Sequence, residues 1–255
     1  MAISKSPFYS LLWGVSSLVG GTPPIVPSIE VPVLDEAPFY FTVNGTPEGC
    51  DPAFYQQLAG KGLYFDLRPY PINRLLARFD RGEAQMMLVP SPEGGVPQQP
   101  GYDYLGPVLT MQDYLVAAHG MQEVDLQFVT GLRVGQARSV CWKLCRQLAT
   151  MSSETRSVRS IRQGLRLLES DRLDLLLAPD LIFESALRQE NLPRERFVVR
   201  YRDPASIPFY LALSTALPEG VRQQIRTSLA SMGPDSYRRL CLQSLGPLQA
   251  GKTAD

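Results

Sequence analysis

The residues best suited to bind a charged molecule stand directly after predicted strands. Arg138 and Ser139 follow one such strand and precede a predicted helix over residues 140–148. A guanidinium, a hydroxyl and the unpaired amides that open a helix together favour a carboxylate or a phosphate. The sequence equally allows Ser139 to be only the N-cap of its own helix, with Arg138 in solvent.

Asp180 ends a second strand of this kind, over residues 173–180 (LDLLLAPD). Its carboxylate is suited to neutralise an ammonium group on a ligand. It is also suited to cap the helix predicted over residues 181–188, and the sequence favours this second interpretation. Ser91 has a similar position, just beyond the apolar strand predicted over residues 84–89.

Aromatic residues beside the strands can form flat walls of a binding pocket. Aromatic side chains next to strands more often belong to the core. Among Phe39, Tyr40, Tyr104, Phe209 and Tyr210, we expect Tyr40 and Tyr104 to face the pocket because of their polar tips.

The sequence lacks the motifs of common enzymes. His119 is the single histidine, and no GxSxG, HExxH or Walker sequence is present. Cys141 falls in the first turn of a predicted helix, where a thiolate is favoured, but its position on the apolar face predicts burial. We therefore predict no catalytic residue, no metal site, no cofactor and no enzymatic activity.

Two stretches of the chain repeat the same order of elements. An amphipathic helix around residues 161–169 precedes the buried strand at 173–180, and a helix over 72–81 precedes the strand at 84–89. The chain is therefore predicted to form two similar α/β lobes. In such folds a ligand lies beyond the carboxyl ends of the strands, where Ser91, Arg138 and Asp180 are placed.

Over residues 31–242 the order of elements resembles the bacterial extracellular solute-binding proteins of family 3. The segments that carry the resemblance are APFYFTVNG, GCD, NRLLARFDRGEAQMMLV, YLGPVLTMQDYLVAA, GLRVGQARS, LRLLESDRLDLLLAPD and IPFYLALS. The resemblance implies a type II periplasmic binding fold, with mixed sheets flanked by helices. It also implies two hinge strands, near residues 114–118 and 208–214, and closure over a small ligand for a membrane permease. We predict lobe 1 over residues 30–115 and 209–255, and lobe 2 over 116–208.

Three positions depart from the amino-acid-binding pattern of that family. The loop over residues 91–101 (SPEGGVPQQPG) has no arginine to hold a ligand carboxylate, and Gln85 replaces a usual Asp. Pro179 stands where an Asp usually takes the amino group, which leaves Asp180 one residue out of register. The predicted ligand is therefore a small polar or anionic, amino-acid-like molecule, held at Tyr40, Ser91, Tyr104, Arg138, Ser139 and Asp180. The alternatives are a sensor or protein-interaction module without transport, and a periplasmic dehydratase-like enzyme.

The N-terminal segment predicts export to the periplasm. Residues 1–21 carry one cation, Lys5, followed by an apolar run of small residues, which resembles a signal peptide. An ordinary N-terminal tail or a misassigned start is the alternative.

The four cysteines leave the compartment open. Cys141 and Cys145, four residues apart on one predicted helix, are expected to be small core residues. Cys50 and Cys241 can pair only if the end of the chain returns to its beginning.

The charge balance excludes some partners. The 255 residues contain 25 Lys and Arg against 25 Asp and Glu, so no overall field attracts nucleic acid or an anionic membrane. We expect a monomer whose partners are a small-molecule ligand and a membrane permease.

Overall fold

A computed structural model describes residues 28–60, 62–120, 129–137, 143–151 and 154–244. Within these ranges the strands are β1 (Ser28–Leu34), β2 (Phe41–Val43), β3 (Thr46–Glu48), β4 (Tyr64–Tyr70), β5 (Met86–Pro90), β6 (Tyr102–Ala118), β7 (Arg133–Ala137), β8 (Glu154–Val158), β9 (Leu175–Pro179) and β10 (Phe197–Ser214). The α-helices are α1 (Cys50–Ala59), α2 (Ile72–Asp80), α3 (Lys143–Thr150), α4 (Ile161–Glu169), α5 (Asp180–Gln189), α6 (Glu219–Met232) and α7 (Ser236–Ser244). No described helix is both long and apolar enough to span a bilayer.

Two long strands connect the halves of the molecule. β6 and β10 pair antiparallel from Phe197 opposite Ala118 to Ser214 opposite Tyr102. They form the centre of a six-stranded sheet with the order β5-β10-β6-β9-β7-β8. β5 pairs with the last part of β10, and β9 pairs with the last part of β6. Because β6 and β10 are antiparallel, these two pairings lie towards opposite ends of the long strand pair. β1 and β4 form a separate parallel pair.

The sequence predicts four shorter strands, over residues 104–109, 114–118, 196–202 and 208–214, with a turn at 203–205, where the structure has β6 and β10. The turn expected at residues 203–205 is an irregularity inside β10, where the register moves from Arg202 opposite Tyr114 to Ser206 opposite Gln112. The Asp203 carboxylate accepts the Ala205 N–H at 3.0 Å, which closes this bulge locally. A bulge holds extra residues while pairing continues on either side, so the strand does not end there.

Another strand is shorter than predicted. The sequence predicts a strand over residues 37–43, but only Phe41–Val43 is extended. The N–H groups of Phe39 and Tyr40 both donate to the Glu36 carbonyl, at 2.9 and 3.2 Å. The chain therefore turns before β2, and Glu36 lies at the start of that turn.

The pairing of helix and strand in the second half follows the predicted apolar pattern. Ile161, Leu165 and Leu168 of α4 are buried, and so is every residue of β9. Leu176 and Ala178 of β9 belong to the same core cluster as these three residues of α4. The Ser160 hydroxyl accepts the Gln163 N–H at 3.2 Å and caps α4. The 3.6-residue spacing of the apolar residues was therefore sufficient to place this helix on the sheet.

The cysteines are oxidised where they are described. Cys50 of α1 and Cys241 of α7 form a disulfide across 191 residues, so the last helix packs on the first. Rings of Phe54 and Tyr237 meet edge to face beside it, with centroids 4.9 Å apart. Cys145 is also disulfide-bonded, which corrects the prediction of a free core thiol, and Cys141 lies outside the described residues.

Candidate functional site

Three cavities adjoin at Ile182 of α5, on the seam between the two halves. The largest, which we call the outer cleft, measures about 750 Å³. Residues between 34 and 43, together with Pro71 and Ile72, form one wall. Residues 159–162 and α5 form the opposite wall. The outer cleft therefore separates elements of the first half from elements of the second.

The second cavity, the apolar pocket, lies deeper in the first half and measures about 190 Å³. It shares Leu34, Ile72 and Ile182 with the outer cleft, so the two spaces adjoin. Its lining is mainly aliphatic and aromatic and includes Met111 and Phe209. An apolar cavity of this size can hold a small hydrocarbon group.

Asp51 is the acidic residue in the lining of the apolar pocket. Its carboxylate is 4% exposed and accepts a hydrogen bond from the Tyr237 hydroxyl at 2.6 Å. Burial raises the pKa of Asp51 to about 7, and the hydrogen bond from Tyr237 acts in the opposite direction. The sequence predicts Asp51 as the N-cap of a helix over residues 52–59, but in the structure Asp51 lies inside α1, Gly49 occupies the N-cap position and no side chain caps the helix.

The third cavity, the acidic pocket, measures about 10 Å³ and is lined by both Glu36 of the first half and Asp113 of β6. Asp113 is 2% exposed and pairs with Pro179 of β9. Burial raises the pKa of Glu36 to about 7. The pKa of Asp113 is also raised to about 7, first by burial and then by the neighbouring charges of Asp203 and Asp180.

Asp180 is already bound within the protein. Its Oδ2 lies 2.7 Å from Nη2 of Arg238 on α7, and its Oδ1 accepts the Gln112 N–H at 3.3 Å. Pro179 is the N-cap of α5 and no side chain caps this helix, so the predicted capping role of Asp180 is wrong. The carboxylate instead joins α5 to α7.

The other predicted site residues lie in different places. Tyr40 is nearly buried and lines the outer cleft. Ser91 is buried just after β5, and among the described residues its hydroxyl has no hydrogen-bond partner. The Tyr104 hydroxyl accepts the Gln99 N–H at 2.6 Å, and Tyr104 lines none of the three cavities at Ile182. Arg138 and Ser139 lie outside the described residues.

The sequence did not predict Glu36, Asp113 or Ile182 as site residues. A signal for Asp113 was present, because it is a single acid within an otherwise largely apolar stretch, VLTMQDYLVAA. A charged residue in such a position is rarely fully buried without a partner. Nothing in the local sequence marks Glu36, which reaches the seam only through the turn that follows β1.

Searches with family models and among curated proteins give no match. Solved structures do match. An ancestral arginine-binding protein bound to arginine is 16% identical with a TM-score of 0.66, covering 86% of this chain and 98% of that one. A histidine kinase sensor domain with similarity to periplasmic binding proteins gives the same identity and TM-score, with 86% and 96% covered. This protein has the two-lobed fold of the periplasmic binding proteins.

A third match is a periplasmic domain. The BvgS periplasmic VFT2 domain of Bordetella pertussis is 15% identical with a TM-score of 0.64, covering 86% of this chain and 93% of that one. The predicted fold class, α/β with two lobes and sheets flanked by helices, is therefore confirmed. The exact lobe boundaries stay a prediction. In this fold the seam around Ile182 is the space between the lobes.

Proposed function

We propose that the protein is an exported solute-binding receptor that captures a small polar, amino-acid-like molecule between its lobes. The observation that carries the proposal is the group of adjoining cavities at Ile182, because their walls come from both lobes. A ligand that touches both walls stabilises the closed arrangement relative to the open one. The proposed role is binding rather than catalysis.

The hinge of this receptor consists of the two crossing strands. β6 and β10 are continuous through both lobes, and their pairing shifts register between Arg202 and Ser206. Irregular pairing at one level of two long strands allows bending there with little loss of hydrogen bonds. We place the change of angle between the lobes at this level.

The disulfides support export. Disulfides persist in oxidising compartments such as the periplasm and are rare in the cytosol. The chain forms one between Cys50 and Cys241, and Cys145 is bonded as well. Together with the signal-like residues 1–21, this supports a periplasmic location.

The proposed ligand contacts include Tyr40, Ser91, Arg138 and Ser139. If Arg138 makes a charge-assisted hydrogen bond to a ligand carboxylate, Arg138→Ala weakens binding by about 1.5 kcal/mol or more. Isothermal titration with a ligand that binds the wild type measures this. Arg68→Ala is the control, because Arg68 is exposed and pairs with Asp66 at the surface. Unchanged affinity in Arg138→Ala removes this residue from the site.

A thermal-shift screen with amino acids, dicarboxylates and polyamines tests the function itself. A ligand that binds only the folded protein raises the melting temperature. Small-angle scattering with the same ligand should then show a smaller radius of gyration as the lobes close. The proposal fails if no ligand raises the melting temperature and none is released from freshly purified protein on denaturation.

The second candidate is a sensor without a transporter, favoured by the similarity to the histidine kinase sensor domain described above. A solute-binding protein delivers its ligand to a permease, whereas a sensor acts through a signalling partner. A permease and an ATPase encoded beside this protein would support transport. Their absence, with a ligand still bound, would support the sensor.

A further inference from the structure

The acidic pocket contains a carboxylate that nothing in the described protein neutralises. Asp113 is 2% exposed, lines the pocket, and receives no hydrogen bond from any described residue. The charges that act on it come from Asp180 and Asp203, which have the same sign. Arg238 is nearby in the fold, but its guanidinium is bound to Asp180 at 2.7 Å.

A buried carboxylate without a partner destabilises the folded protein. Removing an ionised group from water costs several kcal/mol unless an opposite charge or hydrogen bonds compensate for it. Glu36 lines the same pocket from lobe 1. Burial raises the pKa of its carboxyl group, and no neighbouring charge among the described residues contributes to that shift. The ionised form of each carboxyl group is therefore disfavoured when the pocket is empty, more for the buried Asp113 than for the partly exposed Glu36, and a cation in the pocket would lower that cost.

The cation that fits is organic rather than metallic. Within the described ranges no group of His, Cys, Asp and Glu has a geometry that could hold a metal ion. The acidic pocket shares Ile182 with the apolar pocket and with the outer cleft. The apolar pocket, at 190 Å³, is somewhat larger than a cavity of roughly 150 Å³ that binds benzene.

We infer that the ligand is a primary amine with an apolar body, whose ammonium group binds between Glu36 and Asp113 while the body occupies the apolar pocket. The inference rests on the proposed function and names the class of its ligand. A carboxylate elsewhere on the ligand is compatible with it, because the ammonium and the apolar body use separate spaces.

The charges around the acidic pocket also give binding a pH dependence. Glu36 and Asp113 face the ligand, Asp180 and Asp203 add negative charge, and Arg238 is held by Asp180. Both ligand-facing carboxyls have a pKa of about 7 when the pocket is empty. An ammonium favours their ionised forms, so binding releases protons near pH 6, and affinity rises between pH 5.5 and 8, roughly the range around the two pKa values.

Matched compounds test the inference. Phenethylamine and phenylalanine carry an ammonium group, and phenylpropionate has a similar body without one. We expect isothermal titration of the full chain to show binding of at least one of the two amines and none of phenylpropionate. We also expect the measured binding enthalpy at pH 6 to depend on the buffer, because binding of the amine releases protons. Phenylpropionate binding as tightly as the amines overturns the inference, and so does a failure of both amines to bind.

Three variants locate the binding site. Glu36→Gln and Asp113→Asn each remove one charge and should lower the affinity for the amine about tenfold or more. Asp35→Asn is the matched control, because Asp35 precedes Glu36 but is exposed and lines only the outer cleft. Equal weakening in all three variants means that the amine is attracted by any nearby acidic residue without a specific contact, and it overturns the specific site. Melting temperatures establish that each variant folds.

The same data separate this inference from the proposed function. If amines fail while a dicarboxylate or a polar amino acid raises the melting temperature and closes the lobes, the receptor function stands and the ligand class is wrong. If no compound of any class binds and no ligand is released on denaturation, the receptor function is wrong as well.

Discussion

At the scale of single residues, burial raises the pKa of three carboxyl groups in the described part of the chain to about 7. Glu36 and Asp113 lie at the seam, and Asp51 lies in the wall of the apolar pocket. Asp51 differs from the other two because Tyr237 donates a hydrogen bond to it. Its carboxyl is therefore part of a packed polar pair inside lobe 1, and we assign it to stability rather than to the ammonium site.

Asp51 should make the folded protein less stable as the pH rises. The pKa of Asp51 is about 7 in the fold against an ordinary value of 3.8. The free energy of unfolding is therefore highest below pH 4, falls as the carboxyl ionises more readily in the unfolded chain, and is lowest above pH 7. Between pH 4 and pH 7 the free energy of unfolding falls by up to about 1.4 kcal/mol per pH unit. Urea unfolding at pH 5 and pH 8 measures it, and Asp51→Asn should reduce the difference. Glu48→Gln, in the exposed hairpin, should leave the difference as in the wild type.

At the scale of elements, the irregular positions of the long strands depend on local backbone geometry. Gly106, inside β6, has φ +129°, a conformation that L side chains rarely adopt. A Cβ built there lies 2.6 Å from the Val108 backbone nitrogen. The pairing of β6 with β10 shifts register at this level, from Leu109 opposite Phe209 to Leu105 opposite Leu211, so the extra residues lie in β6. Glycine is therefore required for the strand to continue through this point.

Gly106→Ala should destabilise the protein by about 1–3 kcal/mol, because the side chain meets backbone and the positive φ is strained. Gly45→Ala is the comparison. Gly45 also has a positive φ, +81°, but a Cβ there meets nothing within 4 Å. We expect a smaller loss for Gly45→Ala in urea unfolding. Equal losses would mean that the conformation alone, and not the contact with Val108, determines the effect.

At the scale of the whole molecule, side-chain contacts supplement the two crossing strands in joining the lobes. Asp180 begins α5, which belongs to the predicted lobe 2, and Arg238 belongs to α7, which packs on α1 of the predicted lobe 1. The Asp180 side chain is 7% exposed and that of Arg238 is 34% exposed. Breaking the pair therefore costs more at Asp180, because its buried carboxylate is left without an opposite charge.

Arg238→Ala should destabilise the protein by about 1–3 kcal/mol, a value reduced from that of a fully buried pair because Arg238 is partly exposed. Adding Asp180→Asn should recover part of the loss, since the unpaired carboxylate is then removed. A double-mutant cycle in urea unfolding measures the coupling between the two residues. Strictly additive losses would show that the ion pair contributes no coupling of its own.

The sequence by itself determined the elements and their general arrangement. The apolar spacing of α4 and the continuous apolar run of β9 placed a helix on a strand, and a second copy of that order predicted two similar lobes. These features are local, because helix and strand periodicities are read within a few residues.

Only the tertiary structure decided which distant residues meet. Cys50 bonds to Cys241, Glu36 comes to face Asp113, and Asp180 is bound to an arginine of the last helix. Each of these pairs joins segments that are far apart in the chain, and their meeting depends on how the two long strands pair and where they bulge. Side-chain chemistry was visible in the sequence, but its partners are fixed by packing, which no local pattern encodes.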